Sequence, residues 1–232
     1  MWHDTLLHDS LLHDTAVVVG KDLRIELRSR VATNQVAPFA LLVLILFAFA
    51  LDPDRTVLGQ VAAGLFWVTV LFSALLAVQR AFAIEAGEGT RDALRLSGLD
   101  PAAVFLGKAG AIALELLALE AVLGAGVVVL YDRALHGPAL LAVTCLLATA
   151  GLAAAGTVYG ALAAGLRVRE TLLPLLLLPV VAPVLLAATR ASEAALSGSP
   201  ADGWPWVRLL GVFAVIYVAF GVVAFGPLME ES

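Results

Sequence analysis

The stretch RAFAIEAGEGTRDALRLSGLDPAAVFLGK, residues 80–108, separates two long apolar segments, and the rest of the chain is organised around it. Thr90 can cap a short helix that Gly98 can end, because a hydroxyl accepts a free backbone N–H and glycine adopts the helix-closing conformation. Asp100 can cap the next helix, which has Pro101 at its first position. The stretch is too polar and too short to be a domain, and too well capped to be a plain linker.

Charged and apolar side chains occur together in this short helix between two membrane segments. Leu94 and Leu96 supply apolar contacts beside charged neighbours. A capped helix of this kind is typical of a docking surface, and we predict that it contacts a partner. The candidate docking residues are Glu85, Gly89, Thr90, Arg91, Leu94 and Leu96.

The composition indicates an integral membrane protein. Of the 232 residues, 61% are hydrophobic and 14% are charged, whereas a soluble domain carries about 25% charged residues. The apolar residues come in runs long enough to cross a bilayer, which takes roughly 20 residues each. Almost no room remains for a soluble domain, and the single cysteine, Cys145, excludes an intramolecular disulfide.

The apolar runs predict an all-α fold with six transmembrane helices in one transmembrane domain, residues 16–232. Each apolar run gives the approximate boundaries of one span. The predicted spans are residues 33–51, 57–83, 101–131, 138–166, 171–189 and 206–228.

The chain before the first span divides into two parts. Residues 1–15 contain the near-repeat HDTLL, HDSLL, HDTAV and are predicted to be a disordered tail. Residues 16–32 carry an apolar stripe and several cations, which predicts an amphipathic helix lying in the membrane surface with its cations toward anionic head groups. The alternative is an ordinary basic flank of the first span.

The basic residues are distributed unequally between the two sides of a six-span topology. Ten of the 14 fall on the side that carries the termini and four on the other. The positive-inside rule therefore predicts the inner (plasma) membrane with both termini in the cytoplasm. A second short loop on that side is a further candidate contact for a cytoplasmic partner. Its polar residues are Arg167, Arg169 and Glu170.

Two carboxylates lie within the third predicted span. Each would cost on the order of 3 kcal/mol facing lipid, so Glu115 and Glu120 should face protein, water or another subunit. Their spacing of five residues places them about 140° apart on a helix, which disfavours a shared site. With Arg208, they are candidates for a substrate path or a subunit contact. The alternative is that hydroxyl groups of a neighbouring helix, or Arg208, satisfy them.

The fifth predicted span contains three prolines, Pro174, Pro179 and Pro183. Proline lacks the N–H that a helix needs and clashes with the preceding turn, so this span is predicted to be kinked or broken. The prolines are candidates for a hinge, and a static kink is the alternative.

Several kinds of chemistry are missing from the sequence. The Gly-Lys pairs at 20–21 and 107–108 lack the other residues of a P-loop, so the chain should not bind nucleotide in that way. It has no HExxH motif, and no nucleic-acid motif is evident. We predict no catalytic residue, no metal site and no directly bound cofactor.

Five segments taken in order resemble the haem exporter B family, CcmB, the membrane component of the ATP-binding-cassette system of cytochrome c maturation. The chain departs from the family at Gln79. Family members often have an acidic residue at this position, directly before the arginine of the second span, so the sequence does not predict a fixed ion pair there. The segments are KDLRIELRSR (21–30), GLFWVTVLFSALLAVQRAF (64–82), EAGEGTRDALRLSG (85–98), DPAAVFLGKA (100–109) and LLLPVVAPVLLAAT (176–189).

The resemblance implies an ABC-2-like exporter permease that works as a homodimer and is not itself an enzyme. ATP would bind to a separate cytoplasmic ATPase subunit (CcmA-like), with residues 90–97 as the coupling helix and residues 16–32 as the elbow helix. It also implies a haem-handling membrane partner (CcmC-like) and a small single-span subunit (CcmD-like). Haem would be the substrate or lie on a partner, and ATP hydrolysis would drive its export or the release of a haem-loaded chaperone.

Three other functions compete with this interpretation. A permease of the same fold class could export another lipid or a drug-like substrate without any change of architecture. A carrier or channel independent of ATP would carry a charged or glycine-broken pathway repeated in two halves, and no internal repeat is evident. An intramembrane enzyme would need a catalytic set that the spans do not contain.

Overall fold

The computed structural model describes residues 2–29, 36–50, 55–85, 98–130, 136–164 and 169–231. These residues form seven α-helices and contain no strand, which confirms the all-α prediction. A short 3-10 turn, Pro200–Gly203, joins the last two helices. The helices are α1 (Trp2–Ser29), α2 (Ala37–Ala50), α3 (Arg55–Glu85), α4 (Pro101–Leu130), α5 (Pro138–Ala164), α6 (Arg169–Ser197) and α7 (Trp204–Glu231).

Five of these helices are long and apolar enough to cross a membrane. Their apolar parts overlap the second to sixth predicted spans, and the largest difference is at the end of the fifth. α2 has 14 residues and rises about 21 Å at 1.5 Å per residue, less than the roughly 30 Å of a bilayer core. The first predicted span, residues 33–51, lies partly outside the described residues. The five apolar parts are Val61–Ala83, Pro101–Val129, Pro138–Ala164, Thr171–Ser197 and Pro200–Leu228.

The N-terminal helix differs from the sequence-based expectation. A disordered tail was expected over residues 1–15, and the structure has one helix from Trp2 to Ser29. The reason is local, since residues 2–19 contain neither glycine nor proline to end a helix. Residues 16–29 of the predicted amphipathic segment therefore form the C-terminal half of a longer helix.

The fifth span also differs from the prediction. The expected end at Thr189 was wrong as a helix end, because α6 continues to Ser197 and stops at Gly198, whose φ is +85°. Arg190 and Glu193, which suggested a loop, instead form a 3.1 Å ion pair along the helix. The three prolines lie inside α6 without breaking it, so the expected break was wrong, while the hinge stays a prediction.

The predicted cap of α4 is present. The backbone N–H of Ala102 donates to Oδ1 of Asp100 over 2.8 Å, and the N–H of Val104 donates to the Asp100 carbonyl over 3.0 Å. Gly98 has φ +69°, a left-handed conformation that favours glycine. The chain therefore turns sharply into α4 immediately after the central stretch.

Glycines on α5 allow its neighbours to approach closely, as small residues in a membrane helix predict. A Cβ at Gly156 would lie 2.6 Å from Val78 on α3, and one at Gly151 would lie 2.9 Å from Phe213 on α7. At Gly160 a Cβ would collide with the ring of Phe82. α5 therefore lies at the centre of the bundle, packed against α3, α4, α6 and α7.

α1 packs along α4 through a second pair of glycines. A Cβ at Gly107 would lie 2.5 Å from the side chain of Val18, and one at Gly110 would lie 3.3 Å from Val19. Val18 is fully buried in this contact. This packing contact brings the charged residues of α1 against α3 and α4.

Candidate functional site

Arg80 connects three helices through ion pairs. Its Nη2 contacts Oε2 of Glu26 on α1 and lies 3.4 Å from Oε1 of Glu115 on α4. The Arg80 side chain is 21% exposed, and each of the two carboxylate side chains is 16% exposed. One guanidinium therefore lies between two carboxylates and reduces the repulsion between them in a mostly dry environment.

A second buried cation lies beside this contact. Lys108 on α4 is 2% exposed, and its Nζ lies 3.8 Å from Oδ2 of Asp22 on α1 and 5.2 Å from the ring centre of Phe82. Lys21 lies 3.0 Å from the same carboxylate at Oδ1. The aromatic face and the carboxylate together offset the loss of water around Lys108.

We call Asp22, Glu26, Arg80, Lys108 and Glu115 the charge clasp. Helical spacing aligns its members, because Asp22 and Glu26 are one turn apart on α1 and Lys108 and Glu115 are two turns apart on α4. The five residues contain two cations and three carboxylates, and Lys21 at the edge supplies the third cation. The clasp is thus nearly neutral and holds α1 to both α3 and α4.

The clasp includes only one of the intramembrane residues singled out in the sequence. Glu115 was a candidate, whereas its partners Glu26 and Arg80 belong to segments separated from it by 89 and 35 positions. The hydrogen bond between Arg80 and Glu115 spans 35 positions, and the one between Arg80 and Glu26 spans 54. Arg80 therefore obtains its carboxylates from α1 and α4, although Gln79 beside it is uncharged. The only signal in the sequence was that an isolated intramembrane carboxylate needs a partner.

Glu120 lies in a different environment. It is 4% exposed, it accepts a hydrogen bond from the hydroxyl of Thr149 on α5, and the Cys145 thiol lies within hydrogen-bonding reach. Glu115 and Glu120 therefore have different neighbours, as their spacing predicts. Of the two partners proposed from the sequence, the neighbouring hydroxyl is present. Arg208 is exposed, and no ion pair between it and Glu120 occurs in the described residues.

The remaining candidate residues divide into two groups. The docking residues Gly89, Thr90, Arg91, Leu94 and Leu96 lie outside the described residues, as does Arg167. The helices α3 and α6 include Glu85, Arg169 and Glu170, whose side chains the structure does not describe. Across the described ranges, no group of three or more histidine, cysteine or acidic side chains is placed to hold a metal ion.

Comparison with known proteins gives the family. A sequence profile described as CcmB protein matches residues 14–231. The chain belongs to the CcmB family. CcmB-family relatives named heme exporter protein B include one from Haemophilus influenzae, 31% identical over 219 residues, which covers 93% of this chain and 96% of the relative.

Two further relatives of the same name support the assignment. The protein from Rhodobacter capsulatus is 34% identical over 173 residues, covering 73% of this chain and 78% of the relative. The protein from Paracoccus denitrificans is 30% identical over 212 residues, covering 88% and 92%. The match includes α1 from Asp14 onward, so the half of α1 that carries the clasp residues lies within the CcmB region.

Proposed function

We propose that this chain is the membrane permease subunit of an ABC transporter complex for cytochrome c maturation. It couples ATP hydrolysis on a separate ATPase subunit to haem export, or to the release of a haem-loaded chaperone. The observation that carries the proposal is the CcmB match over residues 14–231. The name heme exporter protein B, borne by relatives that align over most of their length, gives haem as the cargo.

The proposed arrangement has six membrane segments in the inner membrane, with both termini in the cytoplasm. α2 is the first segment, and α3 to α7 are the other five. Support for α2 comes from its sequence, APFALLVLILFAFA, which contains no charged residue. α1 serves as the elbow helix at the membrane surface, since Arg24 and Arg28 are exposed on it.

Residues 90–97 act as the coupling helix in this proposal, seated in a groove of the ATPase. Two residues that follow this segment support the proposal. Gly98 has a φ of +69°, which suits the end of a helix, and Asp100 caps the start of α4. The loop that carries Arg167, Arg169 and Glu170 makes a second contact with the ATPase. Nucleotide binding belongs to that partner because this chain has no P-loop.

The charge clasp gives a physical route for the ATP-driven motion. Residues 86–97 connect α3 to α4, so a push on them acts on both helices at once. Arg80 lies five residues before the end of α3, about 7.5 Å along its axis. Arg80 contacts both Glu115 and Glu26, so the helices α1, α3 and α4 move as one unit. The helix α6, which contains three prolines, bends in response.

The complete assembly contains two copies of this chain and two copies of the CcmA-like ATPase. A CcmC-like haem-handling membrane protein and a CcmD-like single-span subunit complete it. Haem is cargo in this scheme, and this chain has no catalytic role. The exposed apolar side chains of α2, α6 and α7 face lipid or these partners.

Replacement of two leucines tests the docking assignment. The double variant L94D/L96D replaces the two leucines of the proposed coupling helix with carboxylates, and we expect the ATPase to be absent from the complex purified in mild detergent. The matched variant L94M/L96M keeps the side chains apolar and should retain the ATPase. Equal recovery of the ATPase with both variants would show that residues 90–97 are not the docking surface.

A further inference from the structure

A small closed cavity lies between α3, α4, α5 and α6, away from the charge clasp. Its volume is about 60 Å³, and Glu120, Cys145 and Ser192 are its polar lining residues. The other lining side chains are aliphatic or aromatic, apart from Gly124, which leaves part of the space open. Because a water molecule in a cavity needs only about 10–15 Å³ of such space, the cavity has room for a few waters.

Glu120 brings an unsatisfied polar atom to this cavity. The residue is 4% exposed, and its Oε1 accepts the hydrogen bond from Thr149. Its Oε2 is buried and has no hydrogen-bond partner. A buried carboxyl oxygen without a partner is rare in folded proteins, and it indicates a water or another small polar ligand.

Among the described residues, no cation lines the cavity at this carboxyl group. The Cys145 thiol on α5 lies beside Glu120 in the lining. Ser192 on α6 is held by the indole N–H of Trp67, which donates to its Oγ over 2.9 Å. α3 contributes apolar side chains to the lining, and no charged side chain of α1, α2 or α7 lines the cavity in the described residues.

The contrast with Glu115 is informative because both carboxyl groups are on α4. Glu115 lies 3.4 Å from the guanidinium of Arg80, a charged partner. Glu120 has a hydroxyl and a thiol as neighbours and is nearly inaccessible to solvent, which favours its neutral form. A neutral carboxylic acid with its hydrogen on Oε2 would also satisfy this atom, because the O–H group can donate a hydrogen bond to a molecule in the cavity.

We propose that the Glu120 cavity is a hydrated proton-binding site, in which Glu120 holds a proton on Oε2 and donates it to water. The ligand class is a small hydrogen-bonding molecule, water or the proton that it carries. The proposal does not depend on haem as cargo or on the ATPase partner, so its failure would leave the proposed function untouched.

Infrared difference spectroscopy of the full chain in lipid vesicles tests the proposal. A neutral carboxylic acid gives a C=O stretching band that an ionised carboxylate lacks. We expect E120Q to lose one such band, and we expect that band to move to lower frequency when the parent protein is transferred to D₂O. The matched variant E115Q should keep the D₂O-sensitive band of Glu120, because Glu115 does not line this cavity.

Two results would overturn the proposal. An E120Q spectrum that keeps every acid band of the parent would mean that Glu120 is ionised. A Glu120 band that fails to move in D₂O would mean that the acid is dry and does not exchange its proton with water.

A filled cavity provides a second test of hydration. A Cβ at Gly124 or at Gly64 would meet no atom within 4 Å, but only Gly124 lines the cavity. We expect G124V to slow the D₂O shift of the Glu120 band severalfold and G64V to leave its rate unchanged. Equal rates in both variants would contradict exchange through cavity water.

Modification by a hydrophobic carbodiimide tests for the same proton without a substitution at Glu120. The carboxylic acid O–H adds across one C=N bond of the reagent to give an O-acylisourea, which rearranges to a stable N-acylurea. We expect mass spectrometry of the unaltered chain to find this adduct on Glu120. In R80Q, where Glu115 has lost its cation, an adduct on Glu115 with none on Glu120 would overturn the proposal.

Discussion

Replacement of Arg80 by glutamine should be among the most destabilising single polar substitutions in the bundle. The change removes the guanidinium that contacts both Glu26 and Glu115, and it leaves these two carboxylates, each 16% exposed, without that cation between them. Loss of one member of a buried ion pair costs about 3–5 kcal/mol. Because a fifth of the Arg80 side chain is exposed, we expect R80Q to lower the free energy of unfolding by an amount at the lower end of this range, about 3 kcal/mol.

The free energy of unfolding can be measured by titration with a denaturing detergent. Cys145 is the only cysteine and is partly buried, so its alkylation reports unfolding without an added label. The matched control is R190Q, because Arg190 forms an exposed ion pair with Glu193 on the same helix. That pair should contribute only about 0.2–0.5 kcal/mol.

A double variant separates the effect of charge from the effect of packing. E115Q alone should cost about 1 kcal/mol, because Arg80 keeps its contact with Glu26. In R80Q/E115Q one of the two carboxylates that lose the Arg80 guanidinium is gone, so the double variant should be more stable than R80Q. If R80Q costs no more than R190Q, or if the second substitution adds to the loss, the clasp does not stabilise the bundle through charge.

Two further predictions concern packing between the helices. G160A should destabilise the protein by about 1–3 kcal/mol, because the added Cβ meets the Phe82 ring; the same titration should find G64A, which meets nothing, nearly neutral. W67F removes the indole N–H that donates to Ser192 over 2.9 Å and should cost about 1–2 kcal/mol. S192A should cost less when combined with W67F than when made alone, and additive losses would contradict a hydrogen bond between them.

The features predicted correctly from the sequence were local or periodic. The Asp100 cap and the apolar parts of α3 to α7 follow from residue types that act within a few residues or along one segment. The extension of α6 beyond residue 189 is not predicted because Arg190 and Glu193 lie past the apolar run, whereas they pair along a helix rich in alanine. Here local propensity and charge pairing outweigh the polar composition.

The charge clasp could not have been predicted in the same way. Its members lie on α1, α3 and α4, and their meeting depends on how each helix is rotated about its axis. That rotation is set by contacts such as Gly107 against Val18, which periodicity within one helix does not reveal. The sequence indicated only that Glu115 needed a partner, and it offered Arg208 and hydroxyl groups as candidates. The partner of Glu115 is Arg80 instead.

The central claim is that this CcmB-family chain acts as the membrane subunit of an ATP-driven haem-maturation complex. Purification of the tagged full-length chain from native membranes in mild detergent, with mass spectrometry of the proteins that accompany it, tests the claim most directly. The account predicts recovery of a P-loop ATPase together with a haem-handling membrane protein. An ATPase without a haem-handling protein would favour an exporter of another lipid or drug-like substrate. A folded preparation without any ATPase would contradict the claim.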